Sequence, residues 1–138
     1  MSSFNHTYRV IKSSWGIVID VSGELTSIST YDNKSSCKMI NSGLWCIITD
    51  ERLSETEKKY LYDGLEMVGK AIASNSSYKN ETLIIINSVT YSFCDYQEEG
   101  LTAAIIQWAA NAFNFEAPKI NVAFNKEHNK YEFNYLKL

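Results

Sequence analysis

The side chains able to do chemistry are few and scattered. The only histidines are His6 and His128, far apart and each near an expected loop or terminus. Ordinary solvated imidazoles are expected there, with no metal site. The three cysteines, Cys37, Cys46 and Cys94, form no C-x-x-C pair, and their odd count argues against a disulfide framework or a zinc site. A Cys37–Cys46 pair is left open. Cys46 and Cys94 fall in or beside apolar strands, where a thiol is usually a small core residue. A nucleophile would require Cys37 beside His6 or His128, and nothing in the spacing brings them together. Gly43, Gly64, Gly69 and Gly100 are isolated, so no phosphate loop is present. Carboxylates are plentiful, but abundance is not a catalytic geometry. Asp95, Glu98 and Glu99 could approach Mg²⁺, yet helix capping accounts for the first two without a metal. No cofactor, metal or catalytic residue is therefore expected.

Charge placement says more than charge total. The chain carries a formal net charge of −3. Ten acids and five bases lie between Asp50 and Glu99, whereas four bases and two acids lie between Lys119 and Leu138. The negative charge gathers at two expected helix starts: Asp50, Glu51, Glu55 and Glu57 at one, Asp95, Glu98 and Glu99 at the other. The plain reading is compensation of helix dipoles and a solvated face. The functional reading is an acidic surface for a basic partner, with Tyr60, Tyr62 and Tyr96 as nearby aromatic anchors. Tyr62 sits off the apolar stripe of its helix and is the tyrosine expected to be most exposed. The candidate partner-binding residues are Asp50, Glu51, Glu55, Tyr62, Asp95, Tyr96, Glu98 and Glu99.

The elements that must position these residues read as follows. Residues 7–12, 15–21 and 25–31 alternate as strands, with a turn at Ser22-Gly23. Residues 36–40 and 44–49 flank the Asn41-Ser42-Gly43 break as two more strands. Ser54-x-x-Glu57 has the capping-box spacing and opens a helix over 55–73, with Leu61, Leu65, Val68 and Ile72 facing inward. Gly64 and Gly69 weaken that helix and suit close packing. Residues 82–93 form a long strand, with Leu83, Ile85, Val89, Tyr91 and Phe93 on one face. Residues 95–115 read as a second helix, capped by Asp95 with Glu98 reaching back. Leu101 to Phe113 is apolar except for Thr102, Gln107 and Asn111, so this helix is largely enclosed. Strands at 119–125 and 130–136 close the chain as a hairpin around Glu127-His128-Asn129.

With 138 residues, one domain over 1–138 is expected. The fold class is α+β: a mixed, mostly antiparallel sheet with two main helices packed on one face. The unit from 82 to 125 is expected to be a parallel strand–helix–strand crossover. No apolar run reaches a bilayer span. The N-terminus MSSFNHTYRV lacks the order of a secretory signal, so a cytoplasmic location is expected.

The segments GLWCIITDERLSETEKKYLYDGLEMVGKAI and YSFCDYQEEGLTAAIIQWAANAFNF resemble the immunity proteins of bacterial contact-dependent growth inhibition and related polymorphic-toxin systems. The resemblance implies a small cytoplasmic antitoxin. It would bind a cognate toxin domain, often a basic nuclease, and block its active site or substrate approach. It transfers no catalytic residue, and no membrane or direct nucleic-acid partner. A second reading is a small-ligand or enzymatic domain with a pocket between helix and sheet, lined by Trp108, Tyr91 and Tyr131. RNA binding through Lys119, Lys126, Lys130 and Lys137 ranks last, because these lysines alternate with acids in an acidic chain.

Overall fold

A computed structural model describes residues 2–135. Its main sheet has five strands in the order β1-β2-β5-β4-β3. These are β1 (Ser2–Ile11), β2 (Gly16–Ser27), β3 (Lys38–Asn41), β4 (Leu44–Ile48) and β5 (Thr82–Tyr91). All neighbours are antiparallel except β4 and β5, which run parallel. The fold is thus α+β with a mixed, mostly antiparallel sheet. Three helices accompany it: α1 (Glu55–Met67), α2 (Gly69–Asn75) and α3 (Gly100–Phe113). Strands β6 (Ile120–Asn125) and β7 (Lys130–Tyr135) form a separate two-stranded sheet.

The parallel crossover therefore lies elsewhere than expected. It runs from β4 through α1 and α2 to β5. The unit expected over 82–125 does not form, because among the described residues β6 pairs with β7 and with no strand of the main sheet. The single helix expected over 55–73 divides at Val68, whose φ of −109° and ψ of 15° leave the helical region. A Cβ at Gly69 would stand 2.4 Å from the Asn41 side chain. Gly64 brings α1 against α3: a Cβ there would stand 2.3 Å from Ile105 and 2.8 Å from the Thr102 carbonyl.

β2 is continuous through Ser22-Gly23, where a turn was expected. Gly23 is needed for another reason. Trp108 lies so close that a Cβ would meet its ring at 2.7 Å. The pairing of β2 with β5 slips at this point: Ser22 faces Ser88 while Gly23 faces Ile86. Asn87 is the extra residue, and a bulge reverses the inward and outward alternation beyond it. Ile84 and Ile86 join the core before the bulge and Val89 after it. The expected face of Leu83, Ile85, Val89, Tyr91 and Phe93 is corrected accordingly. The bulge also turns Tyr91 toward the helix side of the sheet, where α1 meets it.

α3 is the enclosed helix. Within it only Gln107, Asn111 and Ala112 are not buried. Its aliphatic and aromatic residues share one core with Ile17, Ile19, Val21, Leu44, Ile84 and Ile86 from the sheet and with Leu61, Leu65 and Ile72 from α1 and α2. Each such aliphatic side chain contributes about 1.5–3 kcal/mol on burial. No helix among the described residues is long and apolar enough to cross a membrane.

Candidate interaction surface

The chemistry-bearing groups converge at the carboxyl ends of β4 and β5. Beyond β4, the Thr49 N–H still donates to the Ile86 carbonyl at 2.9 Å. The chain then turns inward, leaving Asp50 only 6% exposed. A buried carboxylate must be met by donors, and Asp50 has four. Its Oδ1 accepts from the Arg52 N–H at 3.1 Å and from Arg52 Nε at 2.9 Å. Its Oδ2 accepts from Arg52 Nη2 at 2.7 Å and from the Val89 N–H at 3.0 Å. The Arg52 side chain, helped by the Val89 and Arg52 backbone N–H groups, outweighs burial and holds the Asp50 carboxyl well below the usual range. The two-point Arg52–Asp50 pairing also fixes the guanidinium while its outer face stays in solvent.

One turn later the capping box forms as its spacing predicts. Ser54 N–H donates to Glu57 Oε1 at 2.9 Å, and Glu57 N–H donates to Ser54 Oγ at 3.1 Å. The other Glu57 oxygen accepts two phenol hydroxyls, Tyr91 at 2.9 Å and Tyr96 at 2.6 Å. Burial pushes the Glu57 carboxyl up. The bonds from Ser54, Tyr96 and Tyr91 outweigh it, so the group stays below its ordinary value. Burial, then the bond to Glu57, pushes the Tyr96 phenol far up. The Tyr91 and Tyr96 rings stack with centroids 3.6 Å apart and planes 6° from parallel. Phe93 stands edge-on to Tyr91 at 6.0 Å and is 91% exposed.

The eight residues predicted for partner binding do not form one patch. Asp50 and Tyr96 belong to this end, but both are tied down internally. Glu51 is exposed beside Asp50. Glu55 is exposed in the first turn of α1 and lies 3.6 Å from Lys58. Tyr62, expected to be the most exposed tyrosine, is half-buried against the core, with Lys38 Nζ 5.3 Å from its ring centroid. Burial pushes its phenol up to about 12. Asp95 does not cap α3. It closes a short 3₁₀ turn, and its carboxylate accepts from the Gly16 N–H at 3.2 Å. Glu98 is half-buried, and Glu99 pairs with Lys130 at 2.7 Å. The residues that sequence reasoning missed are Arg52, Glu57, Tyr91 and Phe93 as members of one cluster. The bulge at Asn87 hid Tyr91, because alternation carried through it puts that ring on the wrong face. Phe93 lies beyond the end of β5 in a 3₁₀ turn, where alternation no longer applies.

A cleft of about 450 Å³ opens between α1, the start of α3 and β7. Tyr60, Asp63, Glu99, Glu132 and Phe133 contribute to its walls. The three aromatics expected around one pocket are dispersed. Trp108 is fully buried and donates to the Phe4 carbonyl at 3.1 Å. Tyr91 stands at the Glu57 cluster, and only Tyr131 reaches the cleft.

Cys37, Cys46 and Cys94 are all free thiols. His6 Nε2 lies 3.0 Å from Gln107 Oε1, and His128 is exposed in the β6–β7 turn. Among the described residues no group of three or more histidines, cysteines or acids is placed to hold a metal ion. Lys137 and the last position of the strand expected over 130–136 lie outside the described residues. Comparison with protein-family models, curated proteins and solved structures finds no match to this chain.

Proposed function

We propose that this chain is a bacterial immunity protein that binds a cognate toxin domain and blocks its active site or substrate approach. The observation that carries the reading is Phe93, a large apolar side chain held 91% exposed beside the fixed Tyr91–Tyr96 stack. Leaving such a ring in water forgoes about 1.5–3 kcal/mol, which a partner recovers on covering it. Aromatic rings and arginine dominate binding energy at protein interfaces. Arg52, Tyr91 and Tyr96 are all held by internal carboxylates, so little side-chain entropy remains to be lost on docking. The resemblance of the segments 43–72 and 91–115 to immunity proteins supplies the partner class. The acidic excess of residues 50–99 suits a basic toxin such as a nuclease, met in the cytoplasm. In this reading the chain performs no reaction of its own.

Affinity capture from the native host should recover a toxin domain, and co-expression should protect cells from it. Phe93→Ala should weaken toxin binding at least tenfold while the urea midpoint stays unchanged. Undiminished affinity of that variant would remove the carrying observation. Turnover of any compound by the purified protein, abolished by one substitution in the cleft, would reject the reading altogether.

A further inference from the structure

The cleft beside α1 runs along the outer edge of β7, and one side chain already occupies that edge as a strand would. Gln97 Oε1 accepts from the Tyr131 N–H at 2.8 Å, and Gln97 Nε2 donates to the Tyr131 carbonyl at 2.7 Å. A carboxamide making both bonds to one residue reproduces the pairing of an antiparallel neighbour. It also fixes the phase of the ladder. Tyr131 faces Phe124 on β6, and its backbone groups point away from β6. Because orientation alternates every residue, Phe133 and Tyr135 also turn their backbone groups away from β6. Both residues line the cleft. Among the described residues no side chain does for Phe133 what Gln97 does for Tyr131.

Three carboxylates, Asp63, Glu99 and Glu132, line the same space. Lys59 pairs with Asp63 at 2.9 Å and Lys130 with Glu99 at 2.7 Å, so Glu132 is the acid that no cation of the described residues neutralises. Tyr60 and the Phe133 and Tyr135 rings add aromatic wall, the last two stacked at 6.4 Å. An open strand edge calls for an extended backbone. The acids and ring faces call for lysine or arginine side chains on it. We infer that the cleft docks an extended basic segment of a partner protein, which adds a strand to β7 beyond Gln97. The inference rests on the proposed function for the partner's class and on the β7 edge for the mode of binding.

The test uses the intact protein and a probe that needs no toxin. The peptide acetyl-Val-Arg-Val-Lys-Val-amide is titrated into ¹⁵N-labelled protein while the Phe133 and Tyr135 amides are followed. Saturable shifts should centre on those two residues. The glutamate counterpart of the peptide should bind at least tenfold more weakly, as should binding to Glu132→Lys. N-methylation should weaken binding at least tenfold at peptide residues facing β7, and little at the alternate ones. Equal effects of the two methylation patterns, no saturable shift at Phe133, or self-association of the protein through β7 would each overturn the inference. Phe93→Ala should leave peptide binding unchanged, so failure here is distinguishable from failure of the toxin reading.

Discussion

The same sequence spacing stands at the start of α1 and just ahead of α3, and the two helix starts are built differently. Ser54-x-x-Glu57 and Asp95-x-x-Glu98 both place a short acceptor three residues before a glutamate. At α1 both reciprocal bonds form, with Ser54 extended at φ −74° and ψ 165°. At α3 neither forms. The residue preceding that helix, Glu99, has φ −60° and ψ −22° and makes no side-chain cap. The Gly100 and Leu101 N–H groups are instead taken by the Gln97 and Glu98 carbonyls at 2.9 and 3.0 Å. Asp95 is engaged by Gly16, 79 positions away in the chain. A capping spacing is realised when the acceptor is extended and has no competitor, and the competitor here comes from the β1–β2 hairpin. The difference extends to what the glutamates do. Glu57 ties a helix start to two tyrosines of the β5 end, whereas Glu98 stands half-buried and makes no cap bond.

Removing Glu57 should therefore separate the two starts most sharply. Glu57→Ala deletes the acceptor of two phenols and half of the capping box, leaving partly buried hydroxyls without a partner. The expected cost is about 2–3 kcal/mol of unfolding free energy. Urea denaturation measures it directly. A loss below ~1 kcal/mol would mean that water replaces the carboxylate without penalty, and the contrast with Glu98 would lose its energetic basis.

Acid should expose the same asymmetry with a smaller effect. The Asp50 and Glu57 carboxyls lie below their ordinary values in the folded protein. In the unfolded chain they titrate near about 4. A depressed folded value contributes stability above the unfolded pKa, and that stability is lost as pH falls through the folded one. The unfolding free energy should therefore drop as pH falls below about 4. Asp50→Asn should be less stable than the parent at pH 7 and should show a shallower drop on acidification. Parallel pH profiles for parent and variant would refute the assignment of this dependence to Asp50.

Much of the architecture was legible from local pattern, and what escaped it depended on distant neighbours. The alternation in 7–12, 44–49 and 119–125 marks real strands, and the apolar circumference of 101–113 marks a helix that is indeed enclosed. Ser22-Gly23 looks like a turn, yet Gly23 is small because Trp108 sits on it. The bulge at Asn87 cannot be seen in the run TLIIINSVTY, and it decides which face Tyr91 takes. The parallel partner of β5 proved to be β4, because α1 and α2 cross between them while β6 turns back on β7. Asp50 and Tyr96 were drawn from charge and aromatic content as parts of a partner-binding face. Their actual bonds go to Arg52 and Glu57, so the free surface is carried by Phe93, which was expected to continue the strand face of Leu83 and Ile85 but stands in a 3₁₀ turn past the strand.

The smallest expected effect is also the sharpest comparison of the two helix starts. Ser54→Ala removes an engaged cap and should cost about 1 kcal/mol. Glu98→Ala removes a glutamate at the equivalent spacing that bonds to no cap amide, so its cost should fall within about 0.5 kcal/mol of zero. Ser54 is the residue that caps α1, whereas Glu98 lies one residue before the N-cap of α3 and makes no cap bond, so the difference between the two values reports what the engaged box contributes. Paired urea titrations in one buffer resolve it. If Glu98→Ala proved as costly as Ser54→Ala, Glu98 would be supporting the α3 start by charge alone. The dipole would then account for both acidic clusters, leaving the box at Ser54 with no separate weight.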